Sequence, residues 1–256
     1  MRIYVINFKR FLRLLPVFLI IVLLLSFISV TGMEAFGVFD QERDLPIYSV
    51  DTPDRKVSIT FDCAWGADDI PEILEVLRNN NIKATFFIVG QWAEKYPDKV
   101  RMIADEGHDI ANHSYSHLRM GAIERERIIS EIRKCGDKLT ELSGRKAELF
   151  RPPYGDYSNN VVAAARELGY YTIQWDVDSL DWKPGISREE ILSRISAKIR
   201  PGSIILFHND TAHTAKMLPD IIAKLKAKGY GFLPVSELIL RDNFEIDPEG
   251  RQKKKG

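Results

Sequence analysis

Two histidines four positions apart, His113 and His117, are the residues of this chain best suited to bind a metal. Residues at i and i+4 face the same way when a chain turns helical, so both imidazoles can reach one ion. Imidazole suits Zn²⁺, Co²⁺ and similar cations. The chain has only five histidines, and this pair follows a short apolar run. We therefore expect a metal site here, with a third protein ligand and an open position for water.

Three further polar residues, Asp62, Arg151 and His208, follow apolar runs elsewhere. An acid at the end of a buried strand is either the N-cap of the next helix or a catalytic base, and Asp68 and Asp69 are better placed to be the cap. His208 closes the run Ser-Ile-Ile-Leu-Phe, which favours a catalytic acid over a core histidine. Two prolines follow Arg151 and restrict its loop.

Between residues 56 and 240, short apolar runs alternate with amphipathic helical segments. This alternation predicts a parallel sheet covered by helices. The candidate residues follow successive runs, and in a barrel all strand ends meet on one face, where such folds build their sites. We therefore predict an α/β fold closed into a barrel. The predicted strands are Val57 to Asp62, Ala84 to Val89, Asp109 to Asn112, Leu149 to Arg151, Tyr171 to Asp176, Ser203 to Phe207 and Gly231 to Leu233.

The composition excludes several classes of protein. With 45% hydrophobic residues and only two cysteines among 256, the chain is neither disordered nor a disulfide-stapled miniprotein. The first 33 residues hold four cations and no acid, which leaves 32 cations against 36 acids in the rest. A nucleic-acid binder usually has the opposite balance, so we predict no nucleic acid partner, and no protein partner is evident. We expect the charged tail 241–256 to be disordered.

The segment Leu14–Met33 has 20 residues and no charge, enough for a helix of about 30 Å that spans a membrane. Cations precede it and acids follow it, so the positive-inside rule exports the bulk of the chain. We interpret residues 1–33 as a cytoplasmic stub with a single-pass anchor in the cell membrane, and 34–55 as a linker. A small-residue sequence at Val30–Gly32 leaves cleavage, and hence secretion, as the alternative.

Five segments together resemble the five motifs of the polysaccharide deacetylase family, also called the NodB-homology domain or carbohydrate esterase family 4. The resemblance covers about residues 56 to 240. It implies a distorted barrel of seven β/α units and metal-dependent removal of N-acetyl or O-acetyl groups from glycans. The segments are Thr60-Phe-Asp62, Gly107-His-Asp-Ile-Ala-Asn-His113-Ser-Tyr-Ser-His117, Arg151-Pro-Pro-Tyr154-Gly, Asp178-Ser-Leu-Asp181-Trp182 and Ile204-Ile-Leu206-Phe-His208.

The resemblance also implies a role for each matched residue. Asp62 would be the base that deprotonates the attacking water, and Arg151 would pair with it. His208 would be the acid that protonates the leaving amine, with Asp181 supporting its charged form. The other matched residues are the metal ligands His113 and His117, the oxyanion-binding backbone at Tyr154, and the groove walls Trp182 and Leu206.

Cys63 departs from the family pattern, in which the second Asp of Thr-Phe-Asp-Asp-Gly is the third metal ligand. Three outcomes follow: Cys63 binds as a thiolate and shifts the preference toward zinc, Asp68 or Asp69 substitutes for it, or the metal is weakened or absent. Export also permits a disulfide between Cys63 and Cys135. We do not expect one, because Cys63 lies in the candidate site and Cys135 in a helical pattern.

The leading hypothesis is thus a membrane-anchored, extracytoplasmic enzyme that uses Zn²⁺ or Co²⁺ to remove N-acetyl groups from wall glycan. The rival is a binding module of the same fold whose metal site has decayed, acting in wall or spore assembly. The Cys63-Ala-Trp-Gly66 variant resembles the sporulation-associated branch of the family, which points to spore or cell-wall peptidoglycan as the substrate.

Overall fold

The computed structural model describes residue 16, residues 19–22 and residues 43–256. Within these residues no helix has both the length and the hydropathy needed to cross a membrane. Most of the predicted anchor Leu14–Met33, and residues 34–42 of the predicted linker, lie outside the described residues. Membrane anchoring therefore stays a prediction.

Eight parallel strands form the main sheet, in the order β6-β5-β4-β3-β2-β8-β7, with β9 beside β2. The strands in residues 43–256 are β1 (Ser49–Val50), β2 (Lys56–Cys63), β3 (Thr85–Ile88), β4 (Asp109–Asn112), β5 (Leu149–Phe150), β6 (Tyr171–Thr172), β7 (Val177–Asp178), β8 (Ile204–His208), β9 (Gly231–Phe232), β10 (Phe244–Ile246) and β11 (Arg251–Lys254). All seven predicted strands are present; β4 has the predicted bounds, and the other six have shifted ends. β7 (Val177–Asp178) was not predicted, because it lies just beyond the predicted run Tyr171 to Asp176 and is only two residues long.

The helices cover this sheet. α1 shows why they form: Pro71 occupies its first turn, and its buried residues Ile70, Ile73, Leu74 and Leu77 recur at helical spacing on one face. The helices are α1 (Ile70–Asn79), α2 (Gly90–Lys95), α3 (Pro97–Asp105), α4 (Arg125–Ser143), α5 (Asn159–Glu167), α6 (Arg188–Lys198), α7 (Thr214–Ala227) and α8 (Val235–Leu238), with a 3₁₀ turn at Pro153–Gly155.

The segment around β1 contacts the chain next to both β6 and β8. Ile47 pairs with Ile173, just after β6, and Ser49 bridges to Ser203, just before β8. Ile47 and Val50 are buried. The described part of the predicted linker is therefore packed into the domain. This corrects the predicted boundary at 55/56: the strand is formed by pairing of Ser49 and Val50 with Arg251 and Gln252 of β11, which no pattern in residues 34–55 indicates.

The tail 241–256 is folded, which corrects the prediction of disorder. β11 pairs in parallel with β1 and antiparallel with β10. Gln252 is fully buried, and its side-chain amide both accepts from and donates to the backbone of Leu240. The basic run was misleading because strand pairing uses backbone groups, which a sequence of lysines supplies as well as an apolar one.

Candidate active site

The carboxyl ends of the parallel strands bring Asp62 and Arg151 together. Asp62 lies near the end of β2, and Arg151 directly follows β5. The guanidinium donates to Asp62 Oδ1 at 2.6 Å, to Thr60 Oγ1 at 3.0 Å and to the Gln174 carbonyl at 3.1 Å. Both charged side chains are buried, with 5% of Asp62 and none of Arg151 exposed. A buried charge needs such a partner, because desolvation is otherwise uncompensated.

Arg151 keeps the Asp62 carboxylate ionised. Burial alone raises the pKa of Asp62, but the charge of Arg151, then those of His113 and His208, outweigh burial and lower the pKa below its ordinary value. The guanidinium also lies 3.9 Å from the centre of the Phe87 ring. Asp62 is therefore an ionised, oriented carboxylate, as a general base requires.

His113 and His117 lie side by side, with ring centres 5.1 Å apart. His113 Nδ1 donates to the Arg151 carbonyl at 2.8 Å, which leaves Nε2 pointing at Asp62 Oδ2 from 3.4 Å. Burial lowers the pKa of both imidazoles, that of His117 to about 3. Both rings are therefore neutral near pH 7, the form that binds metals. The lone pair of His113 Nε2 and the negatively charged Asp62 carboxylate face each other and repel. A bound cation would remove this repulsion.

Cys63, the predicted third ligand, is fully buried and packs in the hydrophobic core cluster that includes Phe61 and Ile88. Burial, then the charges of Asp62 and Asp69, raise the pKa of the thiol well above its ordinary value. Metal binding by Cys63 stays a prediction. Asp69 accepts instead from the Asp210 N–H at 2.9 Å. Among the residues that the structure describes, no group of three or more His, Cys, Asp or Glu is arranged to hold a metal ion.

The donors present therefore fit two imidazole ligands but not the three-residue set that the family pattern implies. The cysteine side chain is also one bond shorter than that of aspartate, so its sulfur does not extend as far as an aspartate oxygen. Both cysteines are free, and Cys135 donates to the Ile88 carbonyl inside the core.

His208 and Asp181 form a second pair, at the end of β8. His208 Nδ1 lies 2.8 Å from Asp181 Oδ1, and the backbone N–H of His208 donates to Asp181 Oδ2 at 2.7 Å. Thr214 Oγ1 also donates to Asp181 Oδ2, at 2.5 Å. Burial lowers the pKa of His208, but the hydrogen bond to Asp181 and its charge outweigh burial and raise it. The imidazole is thus poised to carry a proton near neutral pH.

The predicted groove residues occupy different environments. Tyr154 and Trp182 are more than half exposed at the mouth of the site, and the Tyr154 ring packs on His117 with centres 4.6 Å apart. Leu206 is only 2% exposed, inside the sheet between β2 and β7. Its role in the groove stays a prediction.

Strained backbone is concentrated around the site. In residues 43–256, seven residues other than glycine have positive φ, and five of them lie in the loops that follow the strands bearing the site. Such conformations cost energy and persist where the surrounding contacts enforce them, commonly at functional sites. The five are Ser114, His117, Tyr154, Leu180 and Asp210.

Three contributing residues escaped the sequence analysis. Trp65 packs edge-on against His117, with ring centres 5.3 Å apart. Thr214 holds Asp181, and no sequence signal marks it. Glu131 is buried in α4 and accepts from the backbone of Tyr115 and Ser116, which fixes the loop between the two histidines. The sequence could have indicated Glu131, because it is a charged residue on the apolar face of α4, beside Ile128 and Ile132.

A parallel α/β barrel with a carboxylate–guanidinium pair and a histidine–aspartate pair at its strand ends defines a site for acid–base chemistry. The chain matches the polysaccharide deacetylase family over residues 49–173. It is 36% identical to a peptidoglycan-N-acetylglucosamine deacetylase of Bacillus cereus, over 72% of this chain and 68% of that protein. The chain therefore belongs to the polysaccharide deacetylase family.

Solved structures agree in fold. BA3943 from Bacillus anthracis, described as a CE4 (carbohydrate esterase family 4) pseudoenzyme, is 35% identical with a TM-score of 0.73, over 75% of this chain and 68% of that one. A mutant of BA3943 is described as having restored enzymatic activity. The Bc1960 peptidoglycan N-acetylglucosamine deacetylase is 34% identical with a TM-score of 0.72, over 75% of this chain and 92% of that one.

Proposed function

We propose that this protein binds N-acetylated cell-wall glycan in the deacetylase cleft and hydrolyses its acetamide groups slowly, because the metal-ligand set is incomplete. The observation that carries the proposal is the contrast within one site. The base and acid pairs are fully assembled, whereas Cys63 is a buried thiol where the family pattern has a ligand.

The chain's own residues supply the proton transfers of amide hydrolysis. Asp62 takes a proton from the water that attacks the acetamide carbon, and Arg151 holds the carboxylate in place. His208 donates a proton to the sugar nitrogen as the C–N bond breaks, so that acetate and a free amine result. Neutral imidazoles at His113 and His117 offer two ligands to a divalent metal, Zn²⁺ or Co²⁺, which when bound supplies Lewis-acid activation of water and carbonyl.

The substrate class follows from the relatives, several of which are described as acting on peptidoglycan N-acetylglucosamine. We extend that substrate to this chain as part of the proposal. The export and anchoring predicted from Leu14–Met33 would place the domain at the wall, outside the membrane. A role in sporulation stays a prediction.

A second candidate, a metal-dependent deacetylase with full turnover, is favoured by the intact acid and base pairs. Two assays on the full chain separate the candidates: titration with N-acetylchitotetraose or soluble peptidoglycan fragments, and acetate release with added Zn²⁺ or Co²⁺. We expect binding, and acetate release that is slow and lost in Asp62→Asn. Rapid release by the wild type would favour the second candidate. If the wild type neither binds these glycans nor releases acetate, both candidate functions are refuted.

A further inference from the structure

The exposed apolar surface of residues 43–256 is concentrated at the site. Only three large hydrophobic side chains in this range are exposed: Trp65 at 57%, Tyr154 at 53% and Trp182 at 56%. Aromatic rings are normally buried, so a group of exposed rings on one face marks a binding surface. Tyr154 and Trp182 belong to motifs that the family resemblance explains. Trp65 does not.

Trp65 lies where it can contact a ligand of this site. Together with Trp182 it lines a groove of about 410 Å³ that also includes Asp181 and His208. On its other side its indole meets the edge of His117. Trp65 thus adjoins both the imidazole pair and the acid.

The loop that carries Trp65 is fixed by three hydrogen bonds at the next residue. The Gly66 N–H donates to Asp210 Oδ2 at 2.9 Å, and the Gly66 carbonyl accepts from Trp92 Nε1 at 2.8 Å and from Asn209 Nδ2 at 2.5 Å. A Cβ on Gly66 would lie 2.5 Å from the Asp210 carboxylate, so a larger residue would displace the side chain that accepts from the Gly66 N–H. The exposed indole therefore stands on a rigid loop, which reduces the entropy lost when a ligand is bound.

We propose that Trp65 is a second aromatic wall of the groove and packs on the apolar face of a sugar ring next to the one whose acetamide reaches His208. The pyranose face presents C–H groups that suit the negative face of an indole. Two walls on one groove indicate a ligand of at least two linked N-acetylated sugars. The inference rests on the proposed function and deepens it, because it assigns a specificity-determining residue.

Calorimetric titration of the full chain with N-acetylchitotetraose tests this role. We expect Trp65→Ala to raise Kd at least about tenfold, as for a central aromatic contact. Trp65→Phe, which keeps a flat ring, should stay within about threefold of wild type. Trp182→Ala is the comparison variant and should weaken binding similarly. For the monosaccharide N-acetylglucosamine, the difference in Kd between wild type and Trp65→Ala should be much smaller than for the tetrasaccharide.

The outcomes separate this inference from the function on which it rests. A wild type that binds no tetrasaccharide overturns both. A wild type that binds, with Trp65→Ala binding equally well, overturns the role of Trp65 and leaves the proposed function standing. Should Trp65→Ala fail to fold, oxidation of wild-type tryptophans by N-bromosuccinimide, read by peptide mass spectrometry, decides. The inference requires that bound tetrasaccharide protects Trp65 from oxidation. Protection of Trp182 without protection of Trp65 would contradict the inference.

Discussion

Arg151 illustrates how one residue links stability and chemistry in this site. Arg151→Ala leaves the Asp62 carboxylate buried without its partner, and we expect a loss of about 3–5 kcal/mol in the free energy of unfolding. Urea denaturation measures it. Arg78→Ala is the matched control, since Arg78 pairs with Glu106 at 2.6 Å on the surface and its loss should cost less than about 1 kcal/mol. Equal losses would show that the Asp62 pair is not buried as described.

The His208–Asp181 pair gives the site a defined response to pH. In Asp181→Asn the carboxylate that contributes most to raising the pKa of His208 is lost while the lowering effect of burial remains, so the pKa should fall relative to wild type. NMR titration of the imidazole measures this. A pKa unchanged by the substitution would contradict the assignment of Asp181.

The same pair has a consequence for stability. A histidine whose pKa is raised on folding contributes stability that is fully present below the unfolded value and is lost as pH rises through the folded value. We therefore expect the difference in unfolding free energy between wild type and His208→Gln to be larger at pH 5 than at pH 9. A difference that grows with pH would contradict the raised pKa of His208 in the folded protein.

At the scale of elements, β1 depends on a glycine. Gly202 has φ +79°, and a Cβ there would lie 1.7 Å from the Val50 carbonyl oxygen. Gly202→Ala should therefore break the hydrogen bond from Val50 N–H to the Gly202 carbonyl and destabilise the domain by more than about 2 kcal/mol. Thermal unfolding and proteolysis near residues 47–50 measure the effect.

Gly144→Ala is the control for that substitution. Gly144 also has positive φ, +69°, but nothing lies within 4 Å of a Cβ there. It should cost only the left-handed backbone penalty, about 1–2 kcal/mol. If both substitutions cost the same, the contact between Gly202 and β1 is not important for stability.

The elements also show what the sequence could and could not predict. The strands β2, β3 and β8 were predictable because each is a mostly buried apolar or β-branched run, and the order of motifs placed Asp62, Arg151 and His208 at one end of the sheet. β1, β7, β10 and β11 were missed because they are short, lack an apolar run and are stabilised by backbone pairing. Trp65 and Thr214 were missed because their contacts depend on how distant loops meet.

At the scale of the whole molecule, the domain combines a barrel, the assembled base and acid pairs, and exposed aromatic side chains around the site. Among its described residues, no group of three or more His, Cys, Asp or Glu is arranged to hold a metal ion. The family resemblance marked Cys63 as the departure from the ligand set, but left three outcomes open. The packing of Cys63 in the hydrophobic core favours the weakened metal site over a thiolate ligand.

Acetate release from N-acetylchitotetraose by Cys63→Asp, with wild type and Cys63→Ser assayed in parallel at the same Zn²⁺ concentration, tests this account most directly. Aspartate is the residue of the family pattern and supplies a carboxylate at this position, whereas serine changes the side chain without adding a carboxylate. We predict at least about tenfold faster release by Cys63→Asp and none of that gain in Cys63→Ser. A wild type as fast as Cys63→Asp would contradict the account.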